Sequence, residues 1–442
     1  MSVGMEPVGS SSASYVRTLS ADGAVRLSDA RQSLQCDRVS ALFDPPDDHG
    51  GTRQGTPALG VGGEARLNSF RAVGNVGLTD IESRGSASGS ELQVAVSDGA
   101  AMVTLLGTPA RVVDRNGSLE GPCIRFEPQA DRGQVIGAGR LVARDPARDD
   151  NLEVRWEDRI DYDGQANLAE VKGDVVAGSV ARDGALQTAK AGRLTLVLAP
   201  ATTRPTTPAN ADAPGTLAVM QPLGGRDIRQ VILREKVELG SVLNDAAGQT
   251  RQRSSLQASE VRYDLSARRL EVPGPGRMLY EDRRPEDPRA ATDLVGDLRG
   301  ATAFQWRERL VFDETAMNAR LDGDVTIVQE RADQPPLKLT ASTVNVEFLR
   351  GAGATTRPSS LALKRFEASD KVSVSVPQAR FTAPRVEYDP VAGQLVASGD
   401  PSNPVETLDE QGLSRGIFDR LVYNTRARQI DRLEKPLGRI RR

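Results

Sequence analysis

Histidine is almost missing from this chain: His49 is the only one among 442 residues. It lies in Pro45-Pro46-Asp47-Asp48-His49-Gly50-Gly51, a loop by every local signal. A general base needs a positioned nucleophile and an orienting partner, and none can be named for His49. Cysteine is as scarce. Cys36 and Cys123 are too few for a disulfide framework, and with one histidine they all but exclude a zinc site. Whether the two pair is open at the level of sequence. No cofactor is expected. Long apolar runs are also lacking: stretches such as Leu194–Ala199 are strand-sized, against about 20 residues for a membrane helix. Met1–Ser20 has no n-region and h-region of a secretory signal, which counts against export of the chain as written. Tyr15-Val16-Arg17 already reads as the approach to a strand, so a truncated start of an exported protein is the expectation.

Charge of one sign is lacking too. The 57 basic and 60 acidic residues are mixed along the chain, without the basic stripe that nucleic acid requires. Arg439-Ile440-Arg441-Arg442 is too short to change this and reads as a solvated tail. There is no Gly-x-x-x-x-Gly-Lys or Gly-x-Ser-x-Gly motif, and Gly60-Val-Gly-Gly-Glu-Ala65 follows a Pro-rich loop rather than a strand. Neither a nucleic-acid nor a nucleotide partner is expected. Hydrophobic residues make up 38%, below the ordinary globular share, which suits a thin repeat stack better than one large core.

What is abundant is short alternation bounded by Gly, Asp, Asn and Pro. Val372, Val374 and Val376 alternate with Ser373 and Ser375, and Leu194, Leu196 and Leu198 alternate with Thr195 and Val197. Trp156 to Val175 recurs, diverged but without a gap, as Trp306 to Val325, an offset of 150 residues. Trp156 answers Trp306, Tyr162 answers Phe312, and Gly173-Asp174-Val175 answers Gly323-Asp324-Val325. This is an internal duplication. A shorter hairpin recurs more often: Val261-Arg262-Tyr263-Asp264, Val386-Glu387-Tyr388-Asp389 and Ile124-Arg125-Phe126-Glu127, with Leu421-Val422-Tyr423-Asn424 opening a fourth copy. In each, two apolar side chains share one face and polar ones take the other, so one face is buried and the other wet.

The expected fold is all-β: an elongated antiparallel β-jellyroll or stacked β-repeat with little or no helix. Three units emerge, at 15–145, 150–285 and 300–442. Pro-, Gly-, Thr- and Asp-rich segments at 44–63, 200–215, 281–300 and 351–360 read as loops or insertions.

The hairpin Ala258-Ser-Glu-Val-Arg-Tyr-Asp264 with Leu270 and Gly274 resembles the repeat of the LptA/OstA-like family. So do Arg71-Ala-Val-Gly-Asn-Val76 and the two Gly-Asp-Val steps. The resemblance covers most of the chain as a pattern of spacing. It implies a taco-like β-jellyroll that shields the acyl chains of lipopolysaccharide or a similar amphiphile, in the periplasm or at the outer membrane. It also implies stacking on other jellyroll envelope proteins through edge strands. The lining it implies is Ile124, Phe126, Trp156, Tyr162, Val261, Tyr263, Trp306, Phe312, Val386 and Tyr388. The chain departs from a small bridge component in holding about three units with long insertions.

Two other classes compete. A structural β-solenoid would fill the same face with a closed core. A carbohydrate-active β-helix would need paired carboxylates. Asp158 and Glu308, each two residues after a tryptophan, interrupt apolar alternation. They read either as buried acids or as a bulge or strand end that lets the acid reach water, and the second is the expectation.

Overall fold

The computed structural model describes residues 2–7, 14–29, 31–45, 66–80, 85–114, 117–145, 150–180, 184–200, 228–245, 247–283, 300–331, 335–350 and 361–436. Among them are twenty-seven antiparallel strands and one turn of 3-10 helix, Pro128–Ala130. The chain divides into two compact units, Met1–Ala177 with Arg193–Arg229, and Gly178–Gly192 with Gln230–Arg442. These bounds follow contact, whereas the three sequence units follow pattern; a repeat that cannot bury its face alone need not be a compact body. His49, Gly60–Ala65 and the Arg439–Arg442 tail lie outside the described residues, as do most of the four loop segments.

In the first unit β1 (Ser2–Pro7), β2 (Ser14–Ser28), β3 (Gln32–Asp44), β4 (Arg66–Asp80), β5 (Ser86–Ser97), β6 (Ala100–Asp114) and β7 (Gly117–Glu127) form a meander, each paired with the next. Beyond β7 the partner strand is broken in two. β8 (Arg132–Ile136) lies beside Cys123–Glu127, and β9 (Gly139–Asp145) lies beside Gly117–Glu120. The next strand is broken likewise: β10 (Asp150–Trp156) pairs with β9 and β11 (Arg159–Asp163) with β8. A long strand, β12 (Leu168–Val180), then pairs with β11. β12 and β13 (Leu186–Leu198) contribute residues to both units.

The second unit repeats this order. β14 (Ile228–Asn244) pairs with β15 (Thr250–Asp264), which faces a broken strand, β16 (Arg269–Pro273) and β17 (Gly276–Asp282). β18 (Gly300–Trp306) and β19 (Arg309–Asp313) form the second broken strand, and β20 (Asn318–Glu330) spans both halves. β21 (Leu337–Arg350), β22 (Leu361–Val376) and β23 (Ala379–Asp389) continue as a meander. β24 (Gln394–Ser398) and β25 (Val405–Leu408) are broken again, followed by β26 (Ser414–Asn424) and β27 (Gln429–Pro436).

Bulges and breaks are two ways of making one crease. Long strands slip register over two residues, between Val73 and Val76, Asp322 and Val325, and Ser369 and Val372. The slip is made by a left-handed pair: Gly74 (φ 80°) with Asn75 (φ 49°), or Gly323 (φ 84°) with Asp324 (φ 45°). Gly173 (φ 87°) and Asp174 (φ 40°) have the same conformation in β12. Glycine is favoured first because L-residues resist this region, and the bulge sharpens the bend. Broken strands turn at the same line. The Glu157 N–H donates to the Gly173 carbonyl at 2.7 Å, and Gly137 N–H to the Asp158 carbonyl at 2.7 Å. The duplicate keeps both: Arg307 N–H to Gly323 O at 2.7 Å and Gly274 N–H to Glu308 O at 2.6 Å. The Gly-Asn/Asp-Val step is therefore the crease itself, and its valines, Val76, Val175 and Val325, are buried just past it.

At the hairpin ends a second signature acts. Asp163, Asp264, Asp313 and Asp389 each accept, through Oδ1, the backbone N–H three residues on, from Ala166, Ala267, Ala316 and Ala392. Asn424 does the same for Ala427. This side-chain cap closes a four-residue turn whose last residue is left-handed, as at Asn167 (φ 56°), Arg268 (φ 52°) and Met317 (φ 54°). The polar residue after each Tyr or Phe is thus a turn former.

Candidate functional site

Alternation places apolar side chains in rows that run across the strands. In the first unit one row passes from Val39 through Ala72, Leu92, Leu105, Ile124, Val135 and Ile160 to Val171, each directly opposite the next. All eight are buried. Phe126 lies in the neighbouring row, which runs from Ala41 through Phe70, Val94, Val103 and Phe126 to Gly133, Tyr162 and Ala169. Trp156 closes the face beyond the crease, its indole over Gly139, and its Nε1–H donates to the Gly137 carbonyl at 3.0 Å.

The second unit holds the longer row: Val231, Tyr263, Leu270, Phe312, Ala319, Val346, Phe366, Tyr388, Leu395, Tyr423 and Ile430. Its middle is sealed, with Phe366, Tyr388, Leu395 and Tyr423 at most 7% exposed. Its beginning is not: Val231, Tyr263, Leu270, Phe312 and Ala319 are half-buried. Phe348 joins them edge-on, its ring 6.2 Å from that of Phe312 at 77°. A parallel row, Val272, Leu310, Leu321, Val344, Ala368, Val386, Ala397 and Leu421, is buried throughout. Val261 lies in β15, opposite Leu233, and is buried.

Thus Tyr263, Phe312 and Tyr388, from separate sequence repeats, share one row, and Val386 lies in the next. Trp306 is buried against Gly276, as Trp156 is against Gly139. Unlike Trp156, the Trp306 Nε1–H has no acceptor among the described residues.

Phenol oxygens are held at the rims. Tyr263 donates to Glu314 Oε1 at 3.0 Å, and Tyr162 to Asp131 Oδ1 at 3.3 Å. Tyr423 donates to the Pro377 carbonyl at 3.0 Å, and burial pushes its pKa up to about 12. The opposite face is charged and paired. Burial opposes ionisation of Glu260, yet hydrogen bonds from Arg262 and Arg234 outweigh it and keep its pKa below the usual carboxylate value.

Asp158 and Glu308 sit in the strand breaks at the crease and are exposed, which explains how an acid can interrupt the alternation. Cys36 is buried and Cys123 half-buried, and both are free thiols; burial pushes Cys36 upward, with Asp37 adding to the effect. Among the described residues no group of three or more His, Cys, Asp or Glu is placed to hold a metal ion, and no helix is long and apolar enough to cross a membrane.

Sequence reasoning missed Leu270, Phe366, Leu395 and Tyr423 as members of the second unit's apolar row, and Phe348 beside it. Tyr423 carried the signal, since Leu421-Val422-Tyr423-Asn424 repeats the Val-x-Tyr-Asp pattern in the same register. Phe366, between Arg365 and Glu367, carried none. No protein-family model matches the chain, and no curated protein matches it.

Proposed function

We propose that the chain is a non-catalytic envelope protein whose LptA/OstA-like repeats bind lipopolysaccharide-like amphiphiles and convey them toward the outer membrane. The observation that carries this reading is the unbroken apolar row of the second unit, left half-exposed from Val231 to Ala319. An acyl chain laid there gains about 0.8 kcal/mol for each CH₂ it removes from water. The aromatic pair Phe312–Phe348 widens the strip, and rim groups such as Glu314 keep its border wet. Other jellyroll proteins are the proposed partners, through edge-strand pairing. Among the described residues β1 pairs only with β2 and β27 only with β26, which leaves each an edge for such pairing. The periplasm, or the periplasmic face of the outer membrane, is the proposed location.

One observation favours a second reading, a structural scaffold without lipid: Trp306, Val386 and Tyr388 are at most 1% exposed, as in a filled core. The exposed Asp158 and Glu308 give no support to a carbohydrate-active enzyme. A photo-crosslinking side chain introduced at Tyr263, and separately at outward Arg262, decides between lipid and scaffold. Labelled lipopolysaccharide is expected to be captured from position 263 and not from 262. Equal capture at the two positions removes the transport reading.

A further inference from the structure

Near the ends of β15, β17, β18 and β20 that lie away from the Asp-capped turns, the face that elsewhere carries Leu, Val and aromatics turns polar. Ser254, Tyr280, Thr302 and Gln329 stand opposite one another in one row, and Gln252 faces Asp282 in the next. By alternation these side chains share the face of Leu256, Trp306 and Ile327, all buried. Asp282, Thr302 and Gln329 are 3%, 2% and 5% exposed, while Gln252, Ser254 and Tyr280 are half-exposed. The cluster therefore runs from solvent into the interior. Gln252 Nε2 donates to Asp282 Oδ2 at 3.3 Å, but the buried Thr302 hydroxyl has no partner among the described residues. Burying such a group without a hydrogen bond is costly, so the position asks for a ligand or another explanation.

The internal duplication shows that the backbone does not require it. Gly117, Ala143 and Leu152 hold the same register in the first copy, Gly117 opposite Ala143 and Ala143 opposite Leu152. They are small or apolar, and Leu152 is 38% exposed where Thr302 is buried. Ser254, Tyr280 and Thr302 thus have non-polar counterparts, while Asp282 and Gln329 answer Asp145 and Ser179.

Resting on the amphiphile reading, we infer that this cluster is a subsite for the hydroxyl-rich, saccharide end of an amphiphile whose chain lies on the apolar rows of the same face. Carboxylate and amide oxygens accept from sugar hydroxyls, while the amide N–H groups and the Thr302 hydroxyl donate to them. A phosphocholine head offers no hydroxyl to match.

The test uses the full chain and two probes with the same alkyl tail, dodecyl maltoside and dodecylphosphocholine, each below its critical micelle concentration, by titration calorimetry. Dodecyl maltoside is expected to bind at least about tenfold tighter, since two or three matched hydrogen bonds separate the heads. Thr302→Val and Gln329→Leu are each expected to cut that preference severalfold and leave phosphocholine binding unchanged. Thr302→Ser, which keeps the hydroxyl, is expected to preserve it and guards against misfolding of the other two. Equal binding of the two probes by the natural chain overturns the subsite and leaves amphiphile binding standing. So does a preference that survives both Thr302→Val and Gln329→Leu. Binding of neither probe overturns both.

Discussion

Two glycines at the crease offer a controlled test of how the sheet bends. Gly323 (φ 84°) and Gly274 (φ 77°) have nearly the same left-handed backbone, so alanine meets the same intrinsic penalty at each, about 1–2 kcal/mol. Their surroundings differ. A Cβ on Gly323 would stand 2.8 Å from the Glu308 backbone nitrogen, whereas nothing lies within 4 Å of one on Gly274. Relief at Gly323 has to push away the Arg307–Glu308 turn. That turn is held by Arg307 N–H to Gly323 O at 2.7 Å and Glu308 N–H to Asp322 O at 3.1 Å. Losing or stretching both adds about 1–2 kcal/mol, at roughly 1 kcal/mol net for each. Gly323→Ala is therefore expected to cost about 2–4 kcal/mol and Gly274→Ala about 1–2. Urea unfolding followed by far-UV circular dichroism, with the slope checked for constancy, measures both. Indistinguishable losses would mean that the crease contacts carry no energy and that backbone conformation alone sets the bend.

Burial opposes the charge of Asp322, but hydrogen bonds from Arg320, Arg309 and Thr343 prevail and hold its pKa below the ordinary 3.8. Its contribution is present above that value and lost as pH falls through the lowered pKa. Asp322→Asn should flatten the acid limb of stability by about 1 kcal/mol, allowing for the exposed arginines, as chemical unfolding at pH 3 and pH 7 will show. Tyr423 behaves oppositely: its phenol is pushed from 10.0 to about 12, so its contribution is full below pH 10 and lost between pH 10 and about 12. Ultraviolet titration should find a tyrosine ionising near pH 12, and Tyr423→Phe should remove that step. Trp156→Phe forfeits a bond to the Gly137 carbonyl and Trp306→Phe forfeits none. The first should therefore destabilise by about 1 kcal/mol more in urea, and equal losses would refute the difference.

The β class and the duplicated strands were legible because alternation has a period of two and Trp156 and Trp306 mark the same station in two copies. The turns were half legible: Asp264 and Asp389 stand out as polar residues after tyrosine, but nothing local marks Ala267 and Ala392 as the residues whose N–H they hold. The rows were not legible. A row joins residues such as Phe312 and Tyr388, 76 positions apart by residue number, through strand pairings that no local pattern encodes. Nor does sequence distinguish the half-exposed Tyr263 from the sealed Tyr388, since each stands two residues after a valine and directly before an aspartate. Exposure there depends on which strands pack across, a property of the assembled sheet.

The crease acts as a set of alignment marks. A strand that slides by one residue turns its core side chains to the wet face, but a slide by two would preserve the pattern and go unpunished by hydrophobicity alone. The left-handed pair forbids it. Gly323-Asp324 displaced by two would set a valine or a leucine at φ above zero and leave the Arg307–Glu308 turn facing flat strand. Each strand is thus checked against its neighbour at one point, and errors cannot accumulate along a sheet of many strands. Growth by duplication is then restricted to whole crease-bearing blocks, while the connections between strand ends stay free to lengthen.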